Sequence, residues 1–275
     1  MLLFDHRAAP LILCAFLFPC VATEAPSRVP PQTSTPEGLR LLHKMQAALG
    51  GADKIAAIRD YEETVRAKIW NNSGVPMGEV RKRTRWMRSP NVLRLDQVGP
   101  RDTYVLYFDG TSGSGWEILP DVSGPDSFKT SAKAVELTGG ELTFARNYLT
   151  GFQLTTWLAD RMPSYVLTSP AANVLRIEHE ATAEDTTLDP ATGLPVKSNG
   201  VSLADPDRPT SSEMRIGAWT EVAGVHFPTL RTNYHNGVKL AELTTEEGIH
   251  VNTGLLPQVL AAKPADLSPD LPIRK

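Results

Sequence analysis

Residues 104 to 120 read YVLYFDGTSGSGWEILP. Gly110 and Gly115 have the G-x-x-x-x-G spacing of a phosphate-binding loop. Such a loop needs Lys and then Ser or Thr after the second glycine, and a helix whose N-terminus faces the phosphate. Here Trp116 and Glu117 follow, which puts a carboxylate where the cation belongs, and Ile118-Leu119 continue as a strand. G-x-G-x-x-G fails because Ile118 takes the third glycine position. The nucleophile elbow G-x-S-x-G fails because Ser114 takes the last. The stretch is therefore a hairpin. Asp109-Gly110 opens the turn, the glycines supply positive φ, and Trp116 starts the return strand. The incoming "YVLYF" is apolar on both faces, so both of its sides should be covered.

The same period of two extends outward in both directions. Val65, Ala67 and Ile69 alternate with Thr64, Arg66 and Lys68. In "EVRKRTRWM", residues 79 to 87, Val80, Lys82, Thr84 and Trp86 alternate with Arg81, Arg83 and Arg85. "VLRLDQV" then precedes the hairpin. After Pro163 the strand pattern returns in "SYVLTS", "NVLRIEHEA", "EDTTLD", "LPVKSNGVSL", "SSEMRIGAWTEV", "VHFPTLRTNYHN" and "VKLAELTTEEGIHV", with "DPATG" and "NYHNG" as turns. Helical spacing interrupts the strands twice. Leu39, Leu42, Met45 and Leu49 share a face, with Ser34 and Glu37 as a capping box, Pro36 in the first turn and Gly50-Gly51 as the stop. A shorter helix is expected over about residues 52 to 59. "ELTFARNYLTGFQLTTWLADRM" makes a second pair, broken at Gly151. Residues 121 to 140 read as a loop. This pattern predicts an α+β fold: a large antiparallel sheet with helices grouped against one face.

The ends differ from the middle. Residues 1 to 25 read as an export signal. Their apolar run of 15, "AAPLILCAFLFPCVA", is too short to span a bilayer and is broken by Pro10 and Pro19. Both cysteines, Cys14 and Cys20, lie in it. The mature chain is thus expected to lack disulfides, thiol catalysis and cysteine-bound metal. Leu17 before Cys20 fits a lipid-attachment site, whereas Pro19 stands where a small residue is expected. Residues 26 to 36 are a Pro-rich tether, 37 to 262 the folded domain and 263 to 275 a flexible tail. The net charge of −3 argues against a nucleic-acid partner.

No cluster of residues announces an active site. His179, His226, His235 and His250 have no paired ligand spacing, so neither a metal nor another cofactor is expected. Glu178 and Glu180 share a strand face, which reads as solvated rather than as an acid/base pair. "RKRTRWMR", residues 81 to 88, has five basic residues in eight. It is either a solvated edge or outer face, or a patch of Arg81, Arg83, Arg85 and Arg88 for an anionic lipid headgroup or a partner protein. The strand tryptophans and the two-sided apolar strands leave two alternatives: a filled core, or an apolar cavity between curved sheet and helices.

The run "MRSPNVLRLDQ" followed by "YVLYFDGTSGSGWEILP" resembles the LolA/LolB-like lipoprotein-carrier superfamily, through Pro90, Asn91, Asp109, Gly110, Trp116 and Pro120. "TLDPATGLPVKS" resembles a later hairpin of that family. The order of elements agrees over residues 37 to 255. The resemblance implies an incomplete, curved antiparallel barrel, with helices as a lid over its concave face. It also implies a periplasmic carrier whose cavity holds lipoprotein acyl chains, supplied by an inner-membrane exporter and accepted by an outer-membrane receptor. The family's carrier has an arginine directly before the proline, where it helps latch the lid. Here Ser89 holds that position and Arg88 precedes it, a shift that on a strand turns the side chain to the other face. The expectation is an exported, monomeric, non-enzymatic carrier of lipid or lipoprotein acyl chains. Its cavity is expected to be lined by Trp86, Leu95, Leu106, Trp116, Leu149, Trp157, Phe227 and Tyr234. A ligand-free envelope assembly module is the alternative, favoured by a fully packed interior. An envelope hydrolase would need a buried carboxylate or His pair lining a cleft.

Overall fold

A computed structural model describes residues 33–99, 103–121, 131–180, 182–201, 209–265 and 269–271. The expected export signal, its two cysteines and most of the expected tether lie outside the described residues. Two helices come first, α1 (Pro36–Leu49) and α2 (Ala52–Ala56). Six strands follow: β1 (Asp60–Trp70), β2 (Pro76–Met87), β3 (Val92–Val98), β4 (Tyr104–Asp109), β5 (Ser114–Asp121) and β6 (Ser131–Glu136). Helices α3 (Gly139–Thr150) and α4 (Gln153–Thr156) and a 3-10 turn (Ala159–Arg161) come next. The rest is β7 (Tyr165–Ala171), β8 (Val174–His179), β9 (Thr182–Leu188), β10 (Pro195–Val201), β11 (Pro209–Val222), β12 (Val225–His235), β13 (Val238–Val251) and α5 (Pro257–Ala261).

The strands form one 13-stranded antiparallel sheet in the order β6-β5-β4-β3-β2-β1-β13-β12-β11-β10-β9-β8-β7. Every neighbour is a hairpin partner except β1 and β13, so the sheet is two meanders joined at its centre. It is curved but not closed: β6 and β7 are its edges. Helices α1 to α4 cover the concave face, while α5 packs on the outer face, with Leu260 against Met87 and Val92. Leu41, Leu42, Met45 and Leu49 of α1 are buried against an inner row that includes Tyr61, Trp86, Leu93, Phe108 and Phe227. Ring pairs knit this core, with Phe152 against Tyr61 at 5.5 Å and against Trp86 at 5.3 Å. The "YVLYF" strand is buried on both faces as expected. Leu106 and Phe108 enter the main core, while Val105 packs outside against Trp116 and Ile118.

Several local expectations need correction. The cap of α1 is Thr35, whose Oγ1 accepts from Gly38 N at 3.1 Å; Ser34 instead accepts from Leu167 N on β7. Glu37 does not complete a capping box but pairs with Arg40. The second helix stops at Ala56. Residues 121 to 140 are not all loop, since β6 pairs with β5 over Trp116 to Asp121. In the hairpin, only Gly113 of the three glycines has positive φ, +69°. Gly115 is required by packing, since a Cβ there would lie 2.2 Å from Tyr107 O, whereas one on Gly110 would press on Leu149 Cδ2 at 2.5 Å and Asn91 O at 3.1 Å. Glu180 does not share a strand face with Glu178, because it sits at φ +51° in the turn after β8. The expected flexible tail is tied down at Asp270, whose N–H donates to Asp96 and whose carboxylate receives Arg85.

Candidate functional site

The interior is packed over most of the inner face and hollow beside that core. A cavity of about 260 Å³ opens between α3, α4 and the inner faces of β1, β2 and β8 to β13. Phe144, Tyr148, Phe152 and Trp157 roof it. Val65, Ile177, Met214, Ile216, Trp219 and Leu243 supply apolar wall. Of the eight side chains expected to line it, Trp157 does so. Trp86, Leu95, Leu106, Leu149 and Phe227 are instead packed into the main core, where the helices sit directly on the sheet. Trp116 lies on the outer face, stacked on Tyr107 at 5.7 Å, with its Nε1 donating to Ala261 O. Tyr234 lies under the Arg215 guanidinium, 4.6 Å from ring to charge, and is not part of the lining.

The cavity is also more polar than a lipid site read from tryptophans would be. Alternation along β1 and β2 aims Tyr61, Glu63, Lys82 and Thr84 inward with Val65. Between β1 and β13 the register slips, Val65 facing Thr245 while Glu63 faces Ile249, so β13 bulges there. This brings the Thr245 hydroxyl to Glu63. The Glu63 carboxylate accepts from Thr245 Oγ1 at 2.5 Å and Arg231 Nη2 at 2.6 Å through Oε1, and from Tyr61 OH at 2.8 Å through Oε2. Lys82 Nζ donates to the Tyr148 hydroxyl at 3.0 Å and lies 4.7 Å from that ring's centre. Burial, and then the Glu63 charge, push the Tyr61 phenol far up, so it stays neutral. Burial works most strongly against the Arg231 cation, but the charge and hydrogen bond of Glu63, with Tyr61 and Tyr148, together hold the guanidinium above its ordinary value. On the far wall, burial raises Glu184 and lowers His179, which favours the neutral form of each. None of this cluster was singled out from the sequence. The available signal was Lys82 between outward arginines, and Tyr61 and Glu63 continuing the inward series of Val65.

The basic patch lies on the outer face, as one reading had it, but is paired rather than solvated. Alternation does put Arg81, Arg83 and Arg85 together on the outer face, but β2 is interior to the sheet, not an edge. Each arginine is paired within the chain. Arg81 reaches Glu246 and Glu247, Arg83 reaches Glu62, and Arg85 reaches Asp96 and Asp270. Arg88 stands apart. Because β2 ends at Met87, strand alternation no longer governs it. Its guanidinium donates to Ile58 O at 3.0 Å, Ile55 O at 3.1 Å and Leu154 O of α4 at 3.4 Å. It thus touches the roof, contrary to what a strand position would imply.

Among the described residues no group of three His, Cys, Asp or Glu could hold a metal, and no helix is long and apolar enough to cross a membrane. The sequence matches no family model and no curated protein. Solved structures do match in shape. An outer membrane lipoprotein-sorting protein domain from Vibrio parahaemolyticus superposes with a TM-score of 0.50 at 14% identity, over 82% of this chain and 96% of its own. A LolA superfamily protein from Nitrosomonas europaea gives 0.51 at 13% identity, over 80% and 97%. A protein of a domain family of unknown function from Desulfovibrio piger gives 0.53 at 10% identity, over 83% and 98%. Identities this low speak for architecture alone, and on that ground the chain has the LolA-like fold, an open antiparallel barrel roofed by helices.

Proposed function

We propose that the chain is an exported, non-enzymatic binding protein that carries the acyl part of a lipid or lipoprotein in the cavity beneath α3 and α4. The observation that carries this reading is the hollow itself. A fully packed interior would favour an assembly module on the same scaffold, and the packing is incomplete, since no helix lies close on β9 to β11 among the described residues. The cavity volume of about 260 Å³ falls just under the roughly 300–1,000 Å³ of sites for drug-sized ligands. That suits one slender chain; a three-chain lipoprotein anchor requires the roof to lift. The ties that would have to part are Arg88 to Leu154 O, Gln46 Nε2 to Trp157 O and Asp160 at 2.9 Å each, Lys82 Nζ to Tyr148 OH, and Tyr165 OH to Thr150 O. The export segment favours the periplasm, where an exporter and a receptor would be the partners.

Native mass spectrometry of the mature protein, offered an envelope lipid extract, tests the reading. Retention of an amphiphile at one per chain is expected. A chain that emerges empty and also refuses detergents would sink it.

A hydrolase is the second reading, because His179 and Glu184 face the cavity from neighbouring strands. Against it, the His179 imidazole pairs with the Tyr165 ring and, among the described residues, with no hydroxyl nucleophile. Turnover of a long-chain nitrophenyl ester that His179→Ala abolishes would favour it.

A further inference from the structure

The polar cluster inside the cavity is unevenly satisfied. Glu63 is the saturated partner, its two oxygens taking three donors. Arg231 is not. A guanidinium has five N–H donors. Among the described residues only Nη2 has an acceptor, and the buried Nε has none. Of the Arg231 side chain 14% stays accessible, against 5% for Glu63. It lines a space whose other walls are largely apolar. A cation kept in such a wall with donors unused is costly in the empty protein and becomes favourable when a ligand supplies acceptors. Lys82 stands on the same inner face, two strands beyond β13, and Tyr148 on the roof interacts electrostatically with both cations. On the facing wall burial raises the Glu184 carboxyl, which weakens its opposition to an anion.

We propose that this cluster is a headgroup seat, and that the ligand is a single-chain amphiphile with an anionic head, a carboxylate or a phosphate monoester, bonded to Arg231 within reach of Lys82 and Tyr148. The inference rests on the carrier reading and narrows it. The head binds deep, beneath Tyr148, and the chain runs along Ile216, Met214 and Leu243. A charged bidentate acceptor matches the guanidinium fork, which a hydroxyl cannot do.

Titration calorimetry of the mature protein against dodecanoate, dodecyl phosphate, dodecanol and dodecylamine separates the outcomes. The two anions are expected to bind about tenfold or more tighter than the alcohol, and the amine weakest. Which anion binds better identifies the source of the acceptors. Equal affinities for all four, or an advantage for the amine, overturn the headgroup seat while leaving the carrier reading intact. Binding of none overturns both. The double variant Glu63→Gln/Arg231→Met removes the charges as a pair and should erase the anion preference while retaining the alcohol. Should it fail to fold, the comparison of heads on the unaltered chain still decides.

Discussion

Asp96 shows how single residues set the outer face of this sheet. It is fully buried, and its carboxylate takes Arg85 Nη2 at 2.6 Å, Arg94 Nε at 2.9 Å and Nη2 at 3.0 Å, and the Asp270 N–H at 2.9 Å. Arg85 and Arg94 are direct cross-strand partners, an arrangement that like charges would oppose without an anion between them. Removing that anion leaves two nearly buried cations, 4% and 3% exposed, unmatched at their core. Asp96→Ala is therefore expected to cost about 3–5 kcal/mol in urea unfolding. Asp270 makes a bond of similar length to Arg85, but its side chain is 56% exposed. Asp270→Ala should cost no more than about 1 kcal/mol. Equal losses for the two would mean that burial does not separate them. Little of this is legible in "RKRTRW": alternation gives the shared face of the arginines, but their counter-charges come from β1, β3, β13 and the tail, which spacing along one strand does not reveal.

At the scale of elements, helix α1 illustrates the limit of local rules. Its apolar spacing and its stop at Gly50, in the left-handed region at φ +117°, were both legible. Pro36 in its first turn was legible as well, but its cap was not, because the cap is built against β7. Thr35 N donates to Leu167 O at 2.8 Å, Ser34 accepts from Leu167 N, and Gly38 lies on the strand backbone. A Cβ at Gly38 would sit 2.4 Å from Leu167 O and 2.7 Å from Thr168 N. Helix propensity favours Gly38→Ala by about 1 kcal/mol. Overpacking against a backbone that carries two edge contacts opposes it by about 1–3 kcal/mol. The packing term is larger, so Gly38→Ala should lower the melting temperature; a rise would show that α1 can lift from β7 at little cost. The missed strand β6 has a related cause. "SAKAVE" contains Ala, Lys and Glu, poor strand formers, and forms an edge only because β5 offers a partner.

For the molecule as a whole, the strand faces were legible and the position of the hollow was not. Period-two spacing tells which residues point inward, and Trp86, Leu95, Leu106 and Phe227 do point inward. Whether an inward residue meets a helix or a void depends on where α1, α3 and α4 land on a 13-stranded curve, a long-range outcome that no window of sequence contains. Among the described residues α1 packs on β7, β8 and β12 and α3 on β4, while no helix lies close on β9 to β11, so packing energy is given up where the ligand is proposed to sit. That trade makes a test at this scale. Ile216 is a half-buried wall residue on β11, inward-facing and outside the polar cluster. Ile216→Trp puts an indole into the hollow, and Trp suits a strand. Burying the added apolar surface should stabilise the empty protein by about 1 kcal/mol. Ligand at a hundred times its dissociation constant should stabilise the unaltered chain by about 2.7 kcal/mol, a shift the variant should lose. Thermal unfolding with and without dodecanoate reads both effects. A variant that is stabilised yet keeps the full ligand shift would place the ligand somewhere other than beneath α3 and α4.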